Sequence, residues 1–325
     1  MSESLRDRLT GTGFRLGWTV ISRVPESWAR WAFTTAADIA WRRQGRAVQR
    51  LEANLRRVIA YDDLDPDEAG KALRDLSREG IRSYARYYLE AFRMQVIPPE
   101  RILDGMHMRG PGEQIAFEHL KAGRGVLFVL PHMGNFEQAG AWVVLRGAGK
   151  LTTIAERLKP ESVYQMFRKF REGLGMEVVP LTGGPSAFGI LAQRLRGGGL
   201  ACIVMERDLK DTGVEVDFFG EKAKFAPTAG LAVHTGAVLM PVATWFEGEN
   251  DWGAHIYEEI PVPETGDRKE KVRVMTQQLA TIFEQAIREH PQDWHMLQRV
   301  FVADTEPAGS GGDNPAKPPG KAGPG

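Results

Sequence analysis

One cysteine, Cys202, occurs in 325 residues, so neither an internal disulfide framework nor a cysteine-based zinc site is open to this chain. Cys202 lies in an apolar run and reads as a buried thiol in a reducing compartment. Long apolar runs are lacking too. No segment has the 18 or so apolar residues that a spanning helix needs, and the N-terminus has neither the compact apolar stretch nor the cleavage site of a secretory signal. Net charge is absent: 42 basic side chains meet 42 acidic ones, which argues against nucleic acid as the main partner. Several catalytic signatures are also missing. Gly184-Pro185-Ser186 continues with Ala187 and Phe188 and lacks the closing glycine of a serine-hydrolase elbow. There is no His-Glu-x-x-His, no phosphate-binding P-loop and no dinucleotide fingerprint around Gly183-Gly184 or Gly197-Gly198-Gly199. His107, His119, His234, His255, His290 and His295 show no ligand spacing, so core or surface roles are expected for them and no metal is expected.

What is present is an ordinary globular balance, 42% hydrophobic and 26% charged, which argues against both a disordered chain and a polytopic membrane protein. The charge is uneven, however. Residues 1–50 hold nine arginines against Glu3, Asp7, Glu26 and Asp38. Within residues 13–43, Trp18, Trp28, Trp31 and Trp41 alternate with those arginines on two helical stretches divided by Pro25. Tryptophan beside arginine on short apolar helices suits a surface lying among lipid headgroups. The same helices equally suit packing on the core.

Asp65-Pro66-Asp67-Glu68 combines an N-cap, a first-turn proline and a capping-box glutamate, and opens a long helix to about Met94. Tyr84 and Tyr88 on it read as core or groove wall. From about residue 105 short apolar runs alternate with helical patterns. Strands are expected at 106–109, 126–130, 151–155, 176–181, 200–205, 214–219, 238–246 and 255–260. Helices are expected at 113–121, 161–174, 185–196, 228–235 and 269–290. The fold class is therefore α/β, a mostly parallel central sheet flanked by helices, with an N-terminal helical membrane-associating extension. The expected division is an extension over 1–95, a core over 96–303 and a disordered tail rich in Pro and Gly over 304–325.

The chemistry gathers after the apolar strands. Val126 to Leu130 is continuous Val, Leu and Phe, as in a strand covered on both faces, and it delivers His132, Gly134, Asn135, Phe136 and Glu137 to a helix start. Open α/β sheets bind ligands at such strand ends. A histidine there takes a proton from a hydroxyl if a carboxylate holds its tautomer. Glu137 is the candidate nearest in sequence. Glu206, in the charged triplet Glu206-Arg207-Asp208 after the run Leu200 to Met205, is its rival. Arg207 and Asp208 read either as substrate contacts or as a structural ion pair. Arg157, past a third strand, suits a phosphate clamp, with Lys159 as a looser charge. Arg168, Lys169 and Arg171 read as a solvated helix face.

In order, His132 to Glu137, Ala155 to Lys159, Val204 to Leu209, Phe218-Phe219-Gly220 with Ala226-Pro227-Thr228, and Pro291 to Phe301 with Trp294 and Arg299 form a set of blocks within residues 10–302. Together they resemble the bacterial lysophospholipid acyltransferase superfamily, in the branch that holds the lipid A late acyltransferases and whose actinobacterial members acylate phosphatidylinositol mannosides. The resemblance implies acyl-CoA as donor, no cofactor or metal, and a membrane glycolipid acceptor, a mannose hydroxyl of a phosphatidylinositol mannoside, at the cytoplasmic face of the membrane. It implies catalysis by His132 with Glu137 or Glu206, and an oxyanion held by amides near Gly134 and Asn135 or by Arg157. Phe136, Trp142, Phe188, Phe218 and Phe219 would line an acyl channel, and Pro227 and Arg299 would contact substrate. Another glycolipid or a lysophospholipid is the alternative acceptor. From a different class, a non-catalytic lipid-binding protein would use the N-terminal helices alone.

Overall fold

The computed structural model describes residues 17–60, 64–157, 160–182, 184, 186–208 and 212–304. The expected tail beyond Asp304 lies outside the described residues. After a helical stretch over 17–23 come α1 (Glu26–Arg42), α2 (Arg46–Val58) and α3 (Pro66–Arg93). The α3 helix begins where its cap dictates: the Asp65 carboxylate accepts the Asp67 and Glu68 amides, and Pro66, which has no N–H to leave unpaired, takes the first position. α1 lies along α3. Asp38 accepts from both Arg78 and Arg82 at 2.7–3.0 Å, and those guanidiniums hold its carboxyl well below the usual carboxylate range. The N-terminal tryptophans divide by face. Trp18 is buried among Phe92, Phe167 and Phe170, and Trp41 donates to Ser77 at 2.9 Å. Trp28 and Trp31 are each 72% exposed.

The chain continues through α4 (Pro99–Gly105), β1 (Met106–Arg109), α5 (Gly112–Lys121), β2 (Val126–Leu130), α6 (Phe136–Val143), β3 (Leu151–Ala155), α7 (Glu161–Gly173), β4 (Met176–Pro180), α8 (Ala187–Arg196) and β5 (Leu200–Val204). It ends with the β6 (Val214–Phe218) and β7 (Glu221–Phe225) hairpin, α9 (Ala229–Thr235), β8 (Val238–Glu247), β9 (Asp251–Ile256) and α10 (Arg268–Glu289). Seven strands form one sheet in the order β1-β9-β8-β2-β5-β3-β4. The run from β8 to β4 is parallel, whereas β9 is antiparallel to β8 and carries β1 with it. β2 lies at the centre of this sheet. Leu127 and Val129 enter the core on one face, and Val126, Phe128 and Leu130 enter it on the other, which is why its sequence is apolar without alternation.

Two sequence expectations need correction. The last strand is 251–256 rather than 255–260, because it turns straight back on β8 with Asp251 paired to Glu247. The stretch Glu221–Phe225, with three of its five residues charged, is a strand the apolar pattern does not mark. It pairs with β6 because Phe219 and Gly220 take φ of 49° and 78°, the turn hand that matches strand twist.

Candidate active site

β2 and β5 are neighbours with Leu130 opposite Val204. Two residues beyond that pair, each chain leaves the sheet with a polar side chain, His132 from β2 and Glu206 from β5. The register therefore sets the two level at the carboxyl end of the sheet. His132 Nδ1 lies 2.9 Å from Glu206 Oε2. Glu206 Oε1 accepts the His132 backbone amide and lies 3.4 Å from Trp294 Nε1. An ionised carboxylate only accepts, so the imidazole proton sits on Nδ1 and Nε2 presents a lone pair. Glu206 is fully buried while the His132 side chain is 26% exposed, so the partner is fixed and the ring is open.

The turn after β2 that carries His132 is clamped from behind by the closing segment, residues 291–301. Met133 bridges Trp294, the Gly134 amide donates to the Asp293 carbonyl at 2.8 Å, and the His295 amide donates to the His132 carbonyl at 2.8 Å. Gly134 is required here: its φ is +56°, and a Cβ would stand 2.4 Å from the Thr244 carbonyl oxygen. Buried Asp293 accepts the Ser83 hydroxyl at 2.6 Å and the Phe246 amide at 3.0 Å, and burial pushes its pKa up to about 6. With Ser83 donating to Asp293, His295 Nε2 at 2.8 Å donates to Ser83. Burial first, then the nearby His132, lowers the His295 pKa to about 3 and keeps the ring neutral.

Glu137 does not serve His132. It lies in the first turn of α6 and lines the cavity that also reaches His132, but both its oxygens lie 3.0 Å from Arg171 Nε and the Tyr87 hydroxyl is 3.4 Å away. Burial works against the Arg171 charge, but the Glu137 carboxylate and its hydrogen bonds outweigh it, and the guanidinium stands above its ordinary pKa. Burial, and after it the Glu137 charge, holds the Tyr87 phenol protonated well above its usual value.

A cavity of about 610 Å³ reaches His132, a size within the range of small-molecule sites. Leu151, Ile154, Phe167, Leu191 and Ile203 form much of its wall, which Phe136, Phe188 and Pro227 join as expected. Phe136 stands edge-on to His132 with ring centroids 6.4 Å apart. Arg207 and Asp208 also face the cavity, but not as an ion pair. Asp208 accepts the Thr212 and Gly213 amides at 3.3 and 2.7 Å. Arg207 makes no hydrogen bond or ion pair among the described residues. Cys202 lines the same space, and burial pushes its thiol up to about 12.

Other expected contacts fall elsewhere. Phe218 and Phe219 are core residues packed on Trp294 at 5.9 and 6.0 Å, because the hairpin turn folds them inward. Trp142, on α6 itself, is buried in the core layer on the other face of the sheet from Phe218 and Phe219. The Gly134 amide, expected at an oxyanion, is committed to Asp293. Asn135 caps α6 through the Gln138 amide at 3.1 Å and donates to buried Glu90 at 2.7 Å. Arg157 is held by Glu161 at 2.8 Å and lies off the cavity wall. Arg299 lines a different cavity. Lys159 lies outside the described residues.

Sequence reasoning missed Ser83, Asp293, Tyr87 and Arg171. For Arg171 a signal existed: it continues the Tyr164, Phe167 stripe of α7 at helical spacing, and an arginine on an apolar face demands a buried counter-charge. The other three carry no local signature.

The sequence matches the bacterial lipid A biosynthesis acyltransferase model across residues 12–302. It is 42% identical over 310 residues to a phosphatidylinositol mannoside acyltransferase of Mycolicibacterium smegmatis, covering 92% of this chain and 94% of that protein. A protein of the same name from Mycobacterium tuberculosis is 42% identical over 298 residues, covering 91% of this chain and 89% of the relative. Among solved structures, the 1-acyl-sn-glycerophosphate (LPA) acyltransferase of Thermotoga maritima aligns with 80% of this chain and 98% of its own at 14% identity and a TM-score of 0.36. The chain belongs to the bacterial lipid A biosynthesis acyltransferase family.

Proposed function

We propose that this chain transfers a fatty acyl group from acyl-CoA to a mannose hydroxyl of a phosphatidylinositol mannoside, with His132 as general base and Glu206 as the carboxylate that orients it. The carrying observation is the 2.9 Å contact between His132 Nδ1 and a fully buried Glu206, beside a cavity of apolar wall. His132 Nε2 takes the proton of the sugar hydroxyl as its oxygen attacks the thioester carbonyl. The tetrahedral intermediate collapses, the C–S bond breaks, and the CoA sulfur receives the proton from the imidazolium. Glu206 stabilises that imidazolium while it lasts. Arg207, on the cavity wall beside Glu206, supplies positive charge for the oxyanion or a substrate phosphate. The acceptor is inferred from the names of the mycobacterial relatives.

The reaction needs a lipid acceptor, and α1 offers a place to meet it. Trp28, Trp31 and Ile39 are exposed on α1, Val20 on the stretch before it, and Arg23, Arg42 and Arg43 flank them in solvent. No helix among the described residues is long and apolar enough to cross a membrane. The proposed location is peripheral, on the cytoplasmic face, with these rings at the headgroup level. Incubation with acyl-CoA and mannosylated phosphatidylinositol tests the reading. Acceptor-dependent release of CoA is expected, and release no faster than with His132→Ala would sink it.

A further inference from the structure

Glu90, on α3, is a buried carboxylate outside the dyad, its side chain 9% exposed. Three donors from three elements converge on it. Arg86 Nε, one turn earlier on α3, donates to Oε1 at 2.6 Å, while Trp252 Nε1 of β9 and Asn135 Nδ2 donate to Oε2 at 2.6 and 2.7 Å. A carboxylate accepts on both oxygens and a carboxamide on one, so this set of donors specifies glutamate rather than glutamine. The anchorage behind Glu90 is firm. Arg86 also donates to the carbonyls of Gly248 and Asp251 at 2.7 and 3.2 Å, where β8 turns into β9, and Trp252 is buried in the core.

On the other side stands the turn after β2. Bonds from residues 293–295 reach His132, Met133 and Gly134, and the side chain of the next residue, Asn135, is held by Glu90. With its Nδ2 fixed on that carboxylate, Asn135 turns its oxygen to the Gln138 amide and caps α6. The flipped amide would set oxygen against the carboxylate and NH2 against the Gln138 amide, so Glu90 decides which way the cap points. α6 begins at Phe136, whose ring stands against both His132 and Tyr87. Ser83, Tyr87 and Glu90 recur at helical spacing along α3, and each meets this turn: Ser83 through Asp293, Tyr87 through Phe136 and Glu90 through Asn135.

We propose that Glu90 is a positioning residue for acyl transfer: acting through Asn135, it holds the start of α6, and with it the turn that carries His132, in the reactive arrangement. The inference rests on His132 as the general base. Misplacement of a catalytic group by about 1 Å costs about 10²-fold in rate, so slackening this hold reaches the chemistry even though Glu90 touches neither His132 nor the cavity wall.

The test uses the full chain, with kcat for acyl-CoA measured per folded molecule and amide hydrogen exchange of residues 132–139 followed by mass spectrometry. Glu90→Gln sets an NH2 against at least one of the three donors. It is expected to lower kcat about tenfold or more, with both KM values within about threefold of wild type, and to speed exchange of 132–139 by a similar factor. Asn135→Ser keeps an oxygen for the Gln138 amide but is too short to reach Glu90, and the same two losses are expected. The double variant is expected to fall no more than about threefold below the weaker single, because both changes break one bond. Arg86→Gln leaves Glu90 bonded to Asn135 and Trp252. Its urea midpoint is expected to drop at least as far as that of Glu90→Gln, while kcat stays within about threefold of wild type and exchange of 132–139 stays slow. Losses of kcat that follow the urea midpoint across these variants, or two single losses that multiply in the double, make Glu90 scaffold alone and overturn the proposal. Unchanged exchange of 132–139 in Glu90→Gln overturns it as well, and that readout needs no substrate. A wild type without acceptor-dependent turnover would instead defeat the acyl-transfer reading, and exchange would still decide whether Glu90 holds the turn.

Discussion

Replacing Glu206 by glutamine changes one atom and reverses the logic of the site. In the native arrangement both carboxylate oxygens accept, one from the His132 amide and the other from Nδ1–H. A carboxamide has one accepting oxygen and one donating NH2. If the oxygen keeps the backbone amide, the NH2 faces Nδ1, the imidazole proton moves to Nε2, and the atom that must accept the substrate proton is occupied. If the amide flips, two donors meet at the His132 backbone in a fully buried place. The first outcome removes the proposed general base, an effect of about 10²–10⁴ in rate, or about 3–5 kcal/mol of activation free energy; the second keeps the tautomer only by setting two buried donors against each other, so the first is the arrangement expected. The assay is steady-state release of CoA thiol at saturating donor and acceptor, with both KM values measured. Glu206→Gln is expected to lower kcat by that factor with KM changed only a few-fold. Glu137→Gln should behave differently. It leaves Arg171 buried without a counter-charge and should cost about 3–5 kcal/mol of stability, seen in the denaturant midpoint, while kcat per folded molecule falls less than tenfold. A Glu206→Gln enzyme within threefold of wild type would refute the assignment. So would a Glu137→Gln enzyme that loses kcat at unchanged stability.

Three further outcomes follow from the geometry. If the acyl chain occupies the 610 Å³ cavity, each buried methylene contributes about 0.8 kcal/mol, so shortening the donor by two carbons is expected to lower kcat/KM by about tenfold; a flat response across several lengths rejects the cavity as the acyl site. Trp28→Ser/Trp31→Ser removes only exposed rings, so stability should stay within about 0.5 kcal/mol while partition onto anionic vesicles weakens, as a sedimentation assay would read; unchanged partition removes α1 from the membrane contact. Asp293 and His295 tilt stability in opposite directions. The folded Asp293 pKa of about 6 lies above the ordinary 3.8, so the folded state holds that proton and stability falls as pH rises from about 4 to 6. The folded His295 pKa of about 3 lies below the ordinary 6.5, so the unfolded state takes the proton and stability rises with pH over about 3 to 6.5. Asp293→Asn deletes the first slope, and its urea midpoint relative to wild type should climb between about pH 4.5 and 6; a relative midpoint that is level or falling rejects the Asp293 shift.

Much of the architecture was written in short-range pattern. Val126–Leu130, Leu151–Ala155 and Leu200–Val204 are strands because uninterrupted apolar runs between breakers suit a sheet covered on both faces, and Asp65-Pro66 announces α3 to the residue. The dyad was legible as a pair of alternatives and no further. Deciding between Glu137 and Glu206 requires the β2–β5 register, and register follows from how whole sheets pack. Phe218 and Phe219 misled because an aromatic pair suits a lipid channel and a core equally well; the turn beneath them, with its left-handed Phe219, decides for the core. Asp293 and Ser83 left no trace because their roles are created by contacts between distant parts of the chain.

The clamp on the reactive turn also sets an order of assembly. Residues 293–295 hold His132 and Gly134 through backbone bonds, yet they are made after the whole sheet and about half the chain's length beyond His132. A ribosome-bound chain that has emerged only as far as residue 206 already contains both His132 and Glu206 but not the strap that aligns them. On the proposed mechanism, activity therefore appears late, as a property of the finished molecule.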